Sequence, residues 1–282
     1  GIAASMACGL MAAQEGAMTK RFHSGHAGQS GVMAALLASR SYTGMPDALE
    51  RTHGGFLDVY SDKPAPELLL AGLGDTWETL AIGFKAYPTV SCIHGPLAML
   101  DEIMRTNNLC ADDIATVDVA CSTFTYRHTV WPYRASGLTE AQMNLFYGMS
   151  VMAVQRSVFV DAFDESRLAD PAVLAFVPKV TATIDPAVDA RGPRYRDAVR
   201  VTVVTNDGRR LNADRLWRPG SPEDPLGRDA LVAKFRALTA GRWPDAKVSD
   251  IVVLVDTLEN APSVTPLVAC LSADRSQRAL LS

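Results

Sequence analysis

The sequence predicts a mainly α-helical fold with an inserted α+β module, that is, a partial helical domain plus a small α+β domain. Apolar residues recur at helical spacing in residues 32–39 and again in 228–258. Between these regions, residues 115–122 and 197–205 alternate between apolar and polar side chains and are rich in β-branched residues, as strands are. The expected division is a first helical part at 1–85, an α+β part at 86–213 and a helical return segment at 214–282.

Composition limits the class of protein. The chain has 282 residues, of which 48% are hydrophobic and 21% charged, with a net charge of −4, as in ordinary globular proteins. The acidic balance argues against a nucleic-acid partner, and no apolar run approaches the roughly 20 residues that a membrane helix needs. Five cysteines without a CxxC pair or zinc-type spacing fit reduced thiols. We therefore expect a cytoplasmic protein that binds no metal, nucleic acid or membrane.

The first 40 residues suggest two helices joined by a polar loop. Small apolar side chains after Gly1 suit a closely packed helix that ends at Glu15–Gly16. A glycine-rich loop is then predicted from Lys20 to Gly31, leading into a helix at Val32. Lysine and histidine ahead of a helix start can hold an anion, although the same pattern also suits a loop with solvated charges.

Three further expectations concern the core and the sheet. Trp77 and Phe84 are expected to be core residues, and 139–159 to form one helix with Met149 on its buried face. The sequence 206–209, Asn-Asp-Gly-Arg, indicates a hairpin turn after the strand at 197–205.

Residues 85–96 contain the residue types that acid–base chemistry uses. Tyr87 is extended because a proline follows it, and a helix is predicted at 97–105. His94 then lies near the positive end of a helix dipole, which favours anions and disfavours the imidazolium form. A neutral imidazole near the cationic Lys85 could hold a carboxylate and move a proton, whereas the pattern alone also suits a surface loop with an exposed histidine.

Several ordered motifs together resemble those of the MmgE/PrpD family, which includes 2-methylcitrate dehydratase, cis-aconitate decarboxylase and iminodisuccinate epimerase. The motifs are Lys20-Arg-Phe-His-Ser-Gly-His-Ala-Gly-Gln-Ser-Gly, Tyr42-Thr-Gly, Gly54-Gly-Phe, Lys85-Ala-Tyr-Pro with His94, Ala141 to Tyr147, and Asn206-Asp-Gly to Lys234-Phe235. The resemblance implies a large helical domain with a smaller α+β lid. It also implies that the reaction needs no metal or organic cofactor and that the protein forms a homodimer, as family members usually do.

Family members extend further at the N-terminus, so we expect the likeness to cover the C-terminal part only. On that basis the chain alone should carry an incomplete active site. It would be a fragment, or a subunit that a separate N-terminal half completes.

The resemblance also implies residue roles. Lys20 matches a lysine that meets a substrate carboxylate, His94 a histidine that faces the reacting carbon, and Tyr147 a tyrosine that approaches from the lid helix. The predicted substrate-binding residues are Lys85, Tyr87, Ser91 and His23. His26 and Cys92 receive no role, and Cys92 is more simply a small buried hydrophobe.

These roles predict a lyase for a small di- or tricarboxylate. His94 would transfer the proton at the reacting carbon while Lys20 and Lys85 offset the developing negative charge. A 2-methylcitrate dehydratase-like reaction is the first expectation. The alternatives are cis-aconitate decarboxylation, iminodisuccinate epimerisation, and a non-catalytic subunit.

Overall fold

The computed structural model describes residues 1–7 and 9–272, which form two compact units, Gly1–Asp224 and a second beginning at Pro225. Cys8 and the last part of the predicted return segment, residues 273–282, lie outside the described residues. The fold is mainly helical with one small mixed sheet, as expected. The division at 85 and 213, with the sheet-bearing part as an inserted lid, stays a prediction.

The first unit contains a four-stranded sheet. Its central strands pair antiparallel with each other, one edge strand joins in parallel and the other antiparallel. The spatial order is β2 (Val180–Ile184), β1 (Ile114–Cys121), β3 (Val199–Thr205) and β4 (Arg210–Arg215). The predicted hairpin turn is confirmed, with Gly208 at φ +87°.

Helices α3 (His94–Thr106) and α6 (Leu145–Gln155) pack together and form the core with the sheet. Helix α3 contacts β3 and β4, and α6 contacts β2. The buried hydrophobic cluster lies entirely within residues 93–203. The helices of this unit are α1 (Thr19–Ser39), α2 (Phe56–Tyr60), α3 (His94–Thr106), α4 (Thr123–Thr129), α5 (Leu138–Met143), α6 (Leu145–Gln155), α7 (Pro171–Phe176) and α8 (Pro186–Asp189).

Helix α1 replaces the predicted loop. It begins at Thr19, so that Lys20 lies in its first turn and Gly25, Gly28 and Gly31 lie inside it. Each glycine costs the helix about 1 kcal/mol relative to alanine. Helix formation is cooperative, however, and the strong helix formers at 32–39 allow one 21-residue helix to extend back through this segment.

The expected first helix is also corrected. Residues 1–16 form two short 3₁₀ turns, Ala4–Met6 and Met11–Glu15, and Gly9 lies between them at φ +136°. A residue in that conformation interrupts an α-helix. The predicted end at Gly16 is confirmed, because Gly16 has φ +156°.

The single helix predicted at 139–159 is divided at Asn144. Asn144 is extended, its side-chain oxygen accepts a hydrogen bond from the Tyr147 amide at 3.0 Å, and its side-chain amide donates to the Trp131 carbonyl at 2.7 Å. Asparagine competes for backbone groups in this way and so caps helices. Met149 is fully buried, as expected.

Residues 1–85 carry an exposed apolar surface, called here the N-terminal apolar surface. Trp77 and Phe84 belong to it, with 67% and 55% of their surface exposed, so their expected core position is wrong. The outward face of α1 contributes Phe22, Val32 and Leu36. Among the described residues of this segment, the side chains that are buried are small, such as Ala34 and Ala48.

The second unit contains α9 (Arg228–Thr239), α10 (Asp245–Asp256) and α11 (Thr265–Leu271). The bounds predicted for α9 are confirmed, whereas α10 begins three residues before the predicted Val248. An apolar groove of about 470 Å³ between α9 and α10 contains none of the predicted site residues. No helix in the described part of the chain is long and apolar enough to span a membrane.

Candidate active site

Hydrogen bonds hold the start of the stretch 85–94 in place within the first unit. At its start, the Phe84 amide donates a hydrogen bond to the Gly220 carbonyl at 2.7 Å. The Lys85 ammonium then donates to the Thr89 carbonyl at 2.8 Å, which folds the segment back on itself. Lys85 is exposed and Thr89 is buried, so the lysine lies at the surface of a well-anchored turn.

His94 is the first residue of α3, three residues earlier than the predicted helix start, and it is completely buried. The ring of Tyr87 meets its ring edge-to-face, with centroids 5.3 Å apart. Burial raises the pKa of Tyr87 to about 12, so its hydroxyl keeps its proton at neutral pH. A methyl group on Gly95 would lie 3.0 Å from the Val199 side chain, which shows how closely the start of α3 approaches β3.

Ser91 and Cys92 precede His94 in a 3₁₀ turn, Ser91–Ile93. Ser91 is half-buried, whereas Cys92 is only 3% exposed. Burial raises the pKa of the Cys92 thiol to about 12, so the thiolate is disfavoured at neutral pH. Cys92 therefore has the properties of a small buried hydrophobe.

Lys20 is a half-buried cation in the first turn of α1. Its ammonium lies 3.1 Å from the Met143 sulfur, and a thioether is a weak acceptor. The pKa of Lys20 lies below its ordinary value of 10.5, first because of burial, then because of the nearby Lys85 and Arg21. Among the described residues, no carboxylate forms an ion pair with Lys20. The local field thus favours an incoming anion.

Helix α5 connects the two cationic segments. The Arg21 guanidinium donates to the Gln142 side-chain oxygen, and the Gln142 carbonyl accepts from the Val90 amide at 2.9 Å. Lys20 of α1 and the stretch 85–94 are therefore held by neighbouring residues of one short helix.

Gln142 and Met143 lie inside the motif Ala141 to Tyr147, but the resemblance implied no role for either of them. They are an ordinary amide and thioether, and their role depends on the tertiary contacts of α5.

The half-buried face of α1 also carries His23 and His26. The His23 ring lies against Gly9, where a methyl group would be 3.3 Å from the ring nitrogen Nδ1. The His26 ring stacks on Phe22 at 5.4 Å, and its buried Nδ1 has no hydrogen-bond partner among the described residues. Both histidines follow Lys20 along one helix face.

Tyr147 is the predicted site residue that the structure does not bring to this group. It is fully buried in α6, its hydroxyl donates to the Ala162 carbonyl at 2.6 Å, and its ring stacks on Tyr133 at 4.6 Å. Burial raises its pKa to about 12. Its one hydroxyl proton is already used inside the core.

Taken together, the structure brings Lys20 near Lys85 and Tyr87 against His94, and α5 links the two pairs. Within residues 1–7 and 9–272, no group of three or more His, Cys, Asp or Glu side chains is arranged to hold a metal ion. Lys85 and Arg21 lower the pKa of Lys20, and a bound anion would offset this repulsion between cations.

The chain belongs to the MmgE/PrpD family. The family model described as the MmgE/PrpD N-terminal domain matches residues 1–69, and the model described as the C-terminal domain matches residues 87–260. The likeness is therefore not confined to the C-terminal part, which corrects that expectation. Because both domains are represented, the matches do not support the expected incomplete active site.

The chain also has individual relatives among curated proteins. A cis-aconitate decarboxylase from Aspergillus terreus is 31% identical over 287 aligned positions, which cover 96% of this chain and 58% of the relative. A cis-aconitate decarboxylase-like protein, oryM, from Aspergillus oryzae is 29% identical over 97% of this chain and 59% of its own length. The chain thus spans somewhat more than half the length of these relatives.

Proposed function

We propose that the chain is a lyase for a small di- or tricarboxylate and that its reaction is decarboxylation of cis-aconitate. The observation that carries the proposal is the environment of Lys20. Its half-buried ammonium is repelled by Lys85 and Arg21 and lies 3.1 Å from the Met143 thioether sulfur. A cation in this environment gains from binding a carboxylate, since the ligand offsets both its lost hydration and its repulsion by Lys85. Two relatives are cis-aconitate decarboxylases, which favours cis-aconitate among the polycarboxylates.

Different residues bind the substrate, stabilise the developing charge and transfer the proton. Lys20 and Lys85 bind carboxylates of the substrate, and Tyr87, Ser91 and His23 complete its binding surface. When the carbon–carbon bond to the leaving carboxylate breaks, its electron pair stays on the substrate carbon as CO₂ departs. The lysines stabilise that charge, and His94 delivers a proton to the carbon.

The other reactions of the family use the same groups. Dehydration of 2-methylcitrate and epimerisation of iminodisuccinate also develop charge beside a carboxylate and need an acid–base residue. The names of the relatives favour decarboxylation, so we place dehydration second, and a non-catalytic role last.

A substrate panel tests the proposal. The purified chain is incubated separately with cis-aconitate, 2-methylcitrate and iminodisuccinate, and products and CO₂ are measured. We expect CO₂ from cis-aconitate, with a KM raised at least tenfold in Lys20→Met and unchanged in the control Lys63→Met, an exposed lysine. Dehydration of 2-methylcitrate without CO₂ release would assign the second reaction. No turnover of any substrate would contradict the lyase.

We also propose that the chain forms a homodimer through the N-terminal apolar surface. The outward face of α1 exposes Phe22, Val32 and Leu36, and a methyl group on Gly25 would meet no atom within 4 Å. Exposed apolar faces of this extent usually contact protein. Light scattering should give twice the chain mass, and Leu36→Glu should shift it towards one chain. A monomeric wild type at micromolar concentration would contradict the dimer.

A further inference from the structure

Glu140 is a buried carboxyl whose two oxygens are both engaged by one loop. The side chain lies in α5 and the residue is 2% exposed. One oxygen accepts the Arg134 amide at 3.0 Å. The other accepts the Ser136 amide at 2.7 Å and the Ser136 hydroxyl at 2.9 Å. Burying a carboxyl is costly unless its acceptors are satisfied, and these three donors satisfy them.

The loop that Glu140 holds is strained. Ala135, between the two bonded amides, has φ +53°, a left-handed conformation that is unfavourable for alanine. Such a conformation persists only where neighbouring contacts enforce it. The Glu140 carboxyl accepts hydrogen bonds from the amides on both sides of Ala135 and so supplies that constraint.

The same side chain lies between this loop and the segment leading into α1. A methyl group on Gly16 would be 3.6 Å from the Ser136 hydroxyl and 3.9 Å from the Glu140 Cβ. Two and three residues after Glu140, Gln142 and Met143 contact Arg21 and Lys20. The placement of Lys20 thus depends on how α5 is held, and Glu140 is the buried polar anchor of α5.

We infer that Glu140 is a positioning residue that fixes α5 against α1 and thereby sets the location of the Lys20 ammonium. This inference rests on the proposed function in one respect, namely that Lys20 binds a substrate carboxylate. The placement of Lys20 itself can be measured without any turnover.

The main variant is Glu140→Gln, which keeps the shape but replaces one acceptor oxygen with a donor, so that at least one loop amide loses its partner. We expect the KM for cis-aconitate to rise about tenfold and kcat to change less than threefold. A fall in the folded fraction alone would lower the apparent kcat and leave KM unchanged. Ser136→Ala removes one bond of the three and should give a smaller rise in KM; it also serves as the test variant if Glu140→Gln does not fold.

A rescue variant separates positioning from general destabilisation. Glycine adopts positive φ without the strain of alanine. Ala135→Gly in the Glu140→Gln background should therefore reverse at least half of the rise in KM, measured on a logarithmic scale.

A second readout is the pH dependence of Lys20 acylation, followed by peptide mass spectrometry. It reports the pKa of Lys20 without substrate. Glu140→Gln should move this pKa towards 10.5 as the cations separate, whereas Lys63, used as internal control, should not move. Unchanged KM and unchanged Lys20 acylation in Glu140→Gln and in Ser136→Ala would overturn the inference.

The two proposals fail differently. If Lys20→Met leaves KM unchanged, or no substrate is turned over, the proposed function fails, and acylation still decides the role of Glu140. If Lys20→Met raises KM but Glu140→Gln affects neither KM nor acylation, only the role of Glu140 fails.

Discussion

The Lys20 ammonium and the Met143 sulfur lie 3.1 Å apart, so a buried methionine occupies the place where a carboxylate would neutralise the lysine. Met143 is 4% exposed. A thioether accepts hydrogen bonds weakly and carries no charge, so the cation keeps most of its attraction for an external anion.

Met143→Glu should convert this site into an internal ion pair. We expect the pKa of Lys20 to rise, because an opposite charge favours the protonated form, and the KM for cis-aconitate to rise at least tenfold. Met143→Gln is the matched control, since it has the same length without the charge, and its KM should stay within about threefold of wild type. Steady-state kinetics of both variants measure the effect. Equal KM values for the two would contradict an electrostatic role for Lys20.

Substrate binding should take up protons at alkaline pH. The pKa of Lys20 in the substrate-free protein is below 10.5, and a bound carboxylate raises it. At a pH between the substrate-free pKa and the substrate-bound pKa, binding therefore adds a proton to Lys20. Calorimetry with cis-aconitate in buffers of different ionisation enthalpy measures the uptake. Lys20→Met should abolish it, and uptake that persists in that variant would assign the proton to another group.

The pKa of Lys20 is also lower in the folded chain than in the unfolded chain, and this difference contributes to folding stability. Because the folded state binds Lys20's proton less tightly than the unfolded state, this contribution to the free energy of unfolding should rise as pH increases through the lowered pKa towards 10.5. Denaturant titrations of wild type and Lys20→Met across that range should diverge in this direction. A difference that is constant with pH would show that the pKa of Lys20 is not lowered.

The substitution Tyr147→Phe tests whether Tyr147 has a structural or a catalytic role. The hydroxyl is bonded to the Ala162 carbonyl, so its loss should lower the free energy of unfolding by about 1 kcal/mol and change kcat less than threefold. Urea unfolding and steady-state kinetics measure the two effects. A large loss of kcat at unchanged stability would instead support the role that the family resemblance implies, with the Ala162 bond exchanged for one to substrate.

The contact between Gly83 and Gly220 should be sensitive to a single methyl group. A Cβ on Gly83 would overlap the Gly220 carbonyl oxygen, which also accepts a hydrogen bond from the Phe84 amide. Gly83→Ala should destabilise the first unit by about 1–3 kcal/mol, since neither backbone can yield easily. Gly227→Ala, whose Cβ would meet nothing within 4 Å, should cost less than about 1 kcal/mol. Similar costs for both would show that this close approach does not form.

Local patterns predicted the sheet and most helices because alternation, turn residues and apolar periodicity are properties of neighbouring residues. The strands at 115–122 and 197–205 and the hairpin at 206–209 follow from such patterns. The part of helix α1 before Val32 did not, because its glycine content indicates a loop, whereas cooperativity over 21 residues decides the outcome.

The candidate site was predictable only in part. Lys20, Lys85 and His94 belong to family motifs, so the resemblance identified them. Met143, Gln142 and Glu140 act through contacts with residues more than 100 positions away or with a strained loop. No local pattern encodes such contacts. The exposure of Trp77 and Phe84 was missed for a related reason, because hydrophobicity predicts burial without saying which surface provides it.

The most direct test of the proposed reaction is the turnover of cis-aconitate by His94→Ala, compared with His53→Ala, an exposed histidine, and with wild type. A positioned acid–base residue contributes roughly 10²–10⁴-fold to a rate. We predict that kcat falls at least about 100-fold in His94→Ala and stays within twofold in His53→Ala, with both variants folded by circular dichroism. A folded His94→Ala enzyme that keeps most of its rate would contradict the assignment of proton transfer to His94.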